Sequence, residues 1–287
     1  NLGGTNTKGI SYSLTEDGLN SIANDVFVVY DVSEYLQQNE IHVGTNLKMK
    51  KIRQYPGYLC DFRKFDSADS YFRSVISKSS YSKIKSYKRK LESDHKIEYK
   101  MFWGQQPEKE FNRLYDIFHR LMEARYAYKK EINNNLKLKE WNFYKKVAFP
   151  MIIQKKAGLF VTYDNEKPIA FTLVFFSDNI MFDTMRVFDM QYAKYRLGSS
   201  SIVAQIEWCF ANKFEYLDFA KGDYEYKSRL SNYRYHYYYH LLYPSKSKSA
   251  TYRALRLELQ FSLKQYAREM NLEYLYNKIG YRLQKWF

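Results

Sequence analysis

Two short stretches hold the residues best suited to chemistry. In the first, Arg196-Leu197-Gly198-Ser199-Ser200, a small-residue loop opens onto a helix. Such a turn presents bare backbone N–H groups and the positive helix end, which suits a phosphate or pyrophosphate. Arg196 or Lys194 would add charge; the plainer alternative is an ordinary helix start. In the second, Gly222-Asp223-Tyr224-Glu225-Tyr226-Lys227, a carboxylate that can take a proton lies near a phenol that can supply one and an ammonium that can hold an anionic group. Asp223 and Lys227 would equally serve as a structural ion pair fixing the loop. Asp183 is the alternative base, although a solvent-facing position opposite Phe182 and Thr184 fits it too. Asp218 sits in the apolar run Phe214–Ala220, where an unpaired carboxylate is expensive, so it is expected to be hydrogen-bonded or functional.

The elements that position these residues follow from pattern. Gly158–Asp164, Pro168–Phe176 and Ile180–Phe188 are β-branched and aromatic runs separated by short polar turns, which predicts an antiparallel meander. Ile202, Ile206, Cys209 and Phe210 recur at helical spacing, predicting a helix over Ser201–Lys213 capped by Ser200 or Ser201. Phe214–Ala220 then reads as a strand parallel to the meander, because a helical crossover joins parallel neighbours. Upstream, the pattern predicts strands at Asp25–Val32 and His95–Trp103, and a pair within Lys51–Phe65 broken at Pro56-Gly57. Helices are expected over Ala68–Ser93, Pro107–Tyr128 and Glu140–Lys156, the last kinked at Pro150. Glu131–Lys139 reads as a polar loop, either a substrate lid or a linker.

At this point the chain resembles a known family. Lys167-Pro168-Ile169-Ala170 opening the central strand, Tyr195-Arg196-Leu197-Gly198, Tyr216-Leu217-Asp218-Phe219 and Gly222-Asp223-x-x-Tyr226-Lys227 are similar to the GNAT acyltransferase core, within it the CelD-type branch of cellulose and exopolysaccharide biosynthesis. Ser79–Leu91 resembles that branch's Ser- and Arg-rich helix. The likeness spans roughly residues 70–240. The usual pyrophosphate signature is degenerate, with Tyr195 at its first position and Ser200 at its last.

The resemblance implies an α/β fold with a mixed sheet flanked by helices, arranged as two tandem GNAT-like halves related to FemAB-type proteins. Residues 1–130 would form a degenerate half, 131–248 the catalytic half, and 249–287 a basic helical segment. It implies acetyl-CoA or another acyl-CoA as cosubstrate, with no metal. The pantetheine arm would enter a gap between Pro168–Phe176 and Phe214–Ala220, touching Phe175, and the pyrophosphate would rest on Arg196, Leu197, Gly198, Ser199 and Ser200. Direct acyl transfer to a sugar, nucleotide sugar or polysaccharide precursor would use Asp223 as base or substrate orienter, Tyr226 as proton donor and Lys227 as anion binder, with Asp183 as the substitute base. Asp218, His236, Lys88 and Arg89 are the candidate contacts to this small-molecule or glycan acceptor. The alternatives are an aminoacyltransferase drawing on charged tRNA, and a non-catalytic module binding nucleic acid or another polyanion.

Composition narrows the setting. Lys and Arg number 46 against 31 Asp and Glu, and the resulting +15 favours polyanions, phosphorylated cofactors or an anionic membrane face. The cations Lys78, Lys83, Lys85, Lys88, Arg89 and Lys90 form a basic helical face, solvated unless a phosphate or anionic glycan occupies it. Tyrosines in Tyr233–His240 alternate as in a strand, and strands favour aromatics without any nucleic-acid role. His42, His95, His119, His236 and His240 lack zinc-ligand spacing, and neither a G-x-S-x-G elbow nor a nucleotide P-loop occurs. With Cys60 and Cys209 as its two cysteines the sequence offers no disulfide framework, so a reducing, cytoplasmic setting is expected, with peripheral membrane contact as an option. The longest apolar run, Ile169–Phe176, is too short to span a bilayer. In the terminal segment Leu255, Leu259, Leu263 and Tyr266 share one side of a basic helix, which fits either docking with a solvated outer face or lying on a membrane.

Overall fold

The computed structural model describes residues 25–35 and 47–270. The expectations for His42 and for the part of the basic terminal segment beyond residue 270 lie outside the described residues. The described residues group into two compact units. The first comprises 25–35, 47–58, 221–224 and 234–270; the second comprises 59–220 and 225–233.

The second unit holds most of the residues singled out above. Its helices are α1 (Ala68–Val75), α2 (Lys78–Asp94), α3 (Glu108–Lys129), α4 (Leu138–Ile153), α5 (Leu197–Ala211) and α6 (Glu225–Leu230). Its strands are β3 (Ile97–Phe102), β4 (Ala157–Asp164), β5 (Lys167–Ser177), β6 (Ile180–Phe188) and β7 (Tyr216–Lys221), in the order β7-β6-β5-β4-β3. The meander pairs are antiparallel and β6–β7 is parallel, so the sheet is mixed, as a helical crossover through α5 requires. The single helix expected over 68–93 is two, because Ser77 caps a new helix after Ile76 turns extended.

Cross-strand partners share a face, so the ladder sorts the core. Phe171, Leu173, Met185 and Val187 point to the layer of α3 and α4, where Phe111, Leu114, Tyr115, Phe118, Trp141 and Ile152 bury with them. Ala170 and Phe188 face the other way and pack with Leu91 of α2 and Leu197 of α5. Helix α5 is buried along most of its length, which fits its nearly unbroken apolar and small-residue sequence. Cys60 and Cys209 are free and buried.

The first unit contains β1 (Phe27–Ser33), β8 (Tyr233–Pro244) and β2 (Leu47–Asp61), ordered β1-β8-β2, with α7 (Lys248–Glu269). Strand β2 runs straight through Pro56-Gly57, where the sequence predicts a break. A Cβ on Gly57 would lie 2.2 Å from Tyr235 Cζ, so the glycine is there for a ring to lie against the backbone, and the Pro56 carbonyl accepts from Gly222 N–H. Helix α7 reverses one expectation. Its buried face is Ala250, Ala254, Phe261 and Gln265, while Leu255, Leu259, Leu263 and Tyr266 are exposed, together with Tyr252 and Met270. Among the described residues no helix is long and apolar enough to cross a membrane.

Candidate functional site

The parallel pairing of β6 with β7 is short. It joins Ile180 to Tyr216, Met181 to Leu217 and Phe182 to Asp218, and then ends, although β6 continues to Phe188. The cause lies in the neighbouring ladder. Leu173 pairs with Met185 but Val174 pairs with Asp183, leaving Thr184 as an extra residue in β6. Such a bulge bends and twists its strand, so β6 turns away from β7 just past their last shared rung. Beyond that rung the facing edges of β6 and β7 have no ladder partner among the described residues, and this parting is the wedge.

This wedge differs from the expected one, which was flanked by Pro168–Phe176. The third meander strand, β6, lies between that strand and β7, because it is the one that feeds the crossover helix. Phe175 pairs with Phe182 and packs against the α3–α4 core.

The bulge also sets the polar chemistry beside the wedge. Residues three apart in a regular strand face opposite sides, yet Asp183 and Arg186 meet because Thr184 is skipped. Asp183 is therefore not solvent-facing: its side chain is 5 % exposed and accepts from Arg186 Nε (3.1 Å) and Nη2. Arg186 Nη2 also donates to Gln205 Oε1 of α5. Phe188, at the end of β6, lies against Gly198, where a Cβ would sit 2.8 Å from its Cε1. Gly198 is thus required by packing. The Arg125 guanidinium, reaching from α3, lies 4.2 Å from the centroid of the same ring. Burial is the main cause of a lowered Arg125 pKa; Arg186 pushes the same way, while Tyr126, Tyr226 and Glu131 oppose it.

Arg196-Leu197-Gly198-Ser199-Ser200 is not a loop before the helix but its first turn. Arg196 takes a left-handed conformation (φ 54°), its carbonyl accepts from Ser199 and Ser200 N–H, and no side chain caps the helix. Leu197 is buried, Ser199 is half-buried, and buried Ser200 Oγ has no hydrogen-bond partner among the described residues. Arg196 and Lys194 are exposed, the first over Tyr87 and the second over Tyr195. Tyr195 is a packing residue that donates to Asp94.

The remaining candidates occupy separate places. Asp218 is fully buried and accepts from Ala220 N–H at 2.7 Å, fixing the turn where Ala220 is left-handed. Buried Lys227 donates to the Ala220 carbonyl at 3.3 Å, and Tyr226 packs edge-on against Phe219. In the first unit, exposed Asp223 accepts from Tyr58 OH, whose pKa is raised by burial and then by that bond. His236 lies 3.7 Å from Glu34. Lys88 is paired with Glu207 at 2.7 Å, whereas Arg89 is exposed. Among the described residues no group of three or more His, Cys, Asp or Glu could hold a metal ion.

Sequence reasoning missed Arg125 and Arg186. A signal existed for both. Arg125 continues the buried series Phe111, Leu114, Phe118, Met122 on α3, and Arg186 interrupts an otherwise largely apolar strand. A charge placed on an apolar stripe is more informative than one on a solvated face.

Comparison with known proteins agrees with this architecture. FemX superimposes with a TM-score of 0.56 at 8 % identity, covering 81 % of this chain and 74 % of that one. L-PGS from Bacillus licheniformis gives 0.50 at 10 % identity, covering 83 % and 72 %. These likenesses establish the fold. None of the curated proteins matches the chain. A family profile, described as an acetyltransferase (GNAT) domain, matches residues 78–228. Because that span runs from α2 through the wedge to α6 and takes in more than half of the sequence, the chain belongs to the acetyltransferase (GNAT) domain family.

Proposed function

We propose that this protein transfers an acyl group from acyl-CoA directly to an amine or hydroxyl of a sugar, nucleotide sugar or polysaccharide precursor. The observation that carries the reading is the wedge: β6 and β7 part after Phe182 and Asp218 beside the uncapped first turn of α5. Free strand edges suit the amides of a pantetheine arm, which would bind as an added strand. The α5 start supplies N–H groups and the positive helix end for a diphosphate, with Arg196 and Lys194 exposed nearby in sequence. Bound there, acyl-CoA would supply an acyl group activated as a thioester. Within the second unit, Tyr226 is the candidate proton donor. Asp183 and Lys227 are better explained as positioning groups, since one is held by Arg186 and the other by the Ala220 carbonyl.

Acetyl-CoA is expected to raise the melting temperature, and CoA lacking the 3′-phosphate to raise it less. No stabilisation by any acyl-CoA refutes the reading. Asp223→Asn tests the remaining carboxylate: turnover is expected to fall at least about tenfold without unfolding, and unchanged turnover removes Asp223 from the mechanism. A second reading, aminoacyl transfer from charged tRNA, is favoured by the net charge of +15. Stabilisation by aminoacyl-tRNA without stabilisation by acyl-CoA selects it. The exposed apolar stripe of α7, flanked by exposed Arg253, Arg256 and Lys264, supports peripheral contact with an anionic membrane.

A further inference from the structure

Arg125 and Arg186 share an unusual condition. The Nη1 atom of each is buried and has no hydrogen-bond partner among the described residues. An unmet charged donor away from water is costly, and folds seldom keep two together without use. The two belong to different elements, α3 and β6: the Arg125 guanidinium lies over the ring of Phe188, two residues along β6 from Arg186, and the two positive charges are close enough to oppose each other. Arg186 already spends Nε and Nη2 on Asp183 and Gln205, which fixes its plane and leaves one nitrogen over.

We propose that Arg125 and Arg186 form a recognition site for a carboxylate on the acyl acceptor, at the open edge of β6. The proposal rests on the acyl-transfer reading for the word acceptor, but not for the site itself. Charge selects the ligand. Asp183 pairs with Arg186, whereas the partly buried Arg125 guanidinium has no ion-pair partner among the described residues, which leaves its single positive charge to attract an anion. One carboxylate neutralises it; a phosphate dianion would overshoot. Guanidinium groups also match the planar geometry of a carboxylate through paired N–H donors. Glu131, the acid that also bears on Arg125, is engaged by Lys129 at 3.2 Å. The acceptor class narrows accordingly, from any sugar derivative to one carrying a carboxylate, such as a uronic acid.

Matched probes test this on the intact chain. Glucuronate, glucose and inorganic phosphate are titrated calorimetrically at constant ionic strength, against wild type and Arg125→Gln. Glucuronate is expected to bind, glucose not to bind, and Arg125→Gln to raise the glucuronate Kd about tenfold or more. Arg186→Gln strands Asp183, so Arg186→Lys, which keeps the ion pair but loses the planar fork, is the second variant and is expected to weaken glucuronate binding as well. The proposal is overturned if glucose binds equally, if Arg125→Gln leaves the Kd unchanged, or if phosphate binds more tightly with the same arginine dependence. Acetyl-CoA binding, measured separately, keeps the two ideas apart. Glucuronate binding without binding of any acyl-CoA upholds the carboxylate site and sinks acyl transfer; the reverse sinks the site alone.

Discussion

Replacing Asp183 by alanine separates a structural carboxylate from a catalytic one. Its side chain and that of Arg186 are 5 % and 13 % exposed, so the small value of a surface ion pair does not apply. Removing one partner of a buried pair leaves the other charge uncompensated, at a cost of about 3–5 kcal/mol. At about 2–4 °C per kcal/mol for a chain of this size, the melting temperature should fall by roughly 6–20 °C. Circular dichroism during heating reads the fall. The double variant Asp183→Ala, Arg186→Met removes the stranded cation and should recover part of the loss, giving a coupling energy between the two residues. Asp183→Asn, which keeps an acceptor for Arg186, should lie between wild type and alanine. If Asp183→Ala melts within about 2 °C of wild type while acyl transfer is abolished, the structural account fails and Asp183 is the base.

Gly198→Ala adds up to about 1 kcal/mol of helix propensity, but its Cβ would lie 2.8 Å from Phe188 Cε1, and that ring is held by Arg125. Overpacking of about 1–3 kcal/mol should win; urea denaturation should show net loss, and calorimetry weaker acetyl-CoA binding. His240 is buried, and burial, then Lys51, push its pKa down to about 4 from 6.5. The unfolded chain therefore takes up the proton first, so stability is complete above pH 6.5 and lost as pH falls towards 4, by on the order of 3 kcal/mol. His240→Gln should flatten denaturation midpoints across that window, and an unchanged slope would rule the assignment out. On α7, Leu259 and Leu263 are 61 % and 58 % exposed. Changing both to Glu should abolish cosedimentation with phosphatidylglycerol vesicles while leaving the melting temperature intact; undiminished binding would refute membrane contact through this face.

Local pattern determined a good deal of this protein. The meander, the crossover helix and the parallel strand after it are periodicity and turn chemistry, visible because β-branched runs and polar turns act within a few residues. The family likeness is carried by the same contiguous span, as the match over 78–228 bears out. What the sequence withheld depends on partners distant along the chain. Pro56-Gly57 looks like a break until Tyr235 is seen lying on Gly57. The apolar side of α7 looks like the docking face until Phe261 and two alanines take that role. The wedge, and with it the contact of Asp183 with Arg186, hangs on a single skipped residue, Thr184. A bulge is a mismatch between two strands, so neither strand contains it alone.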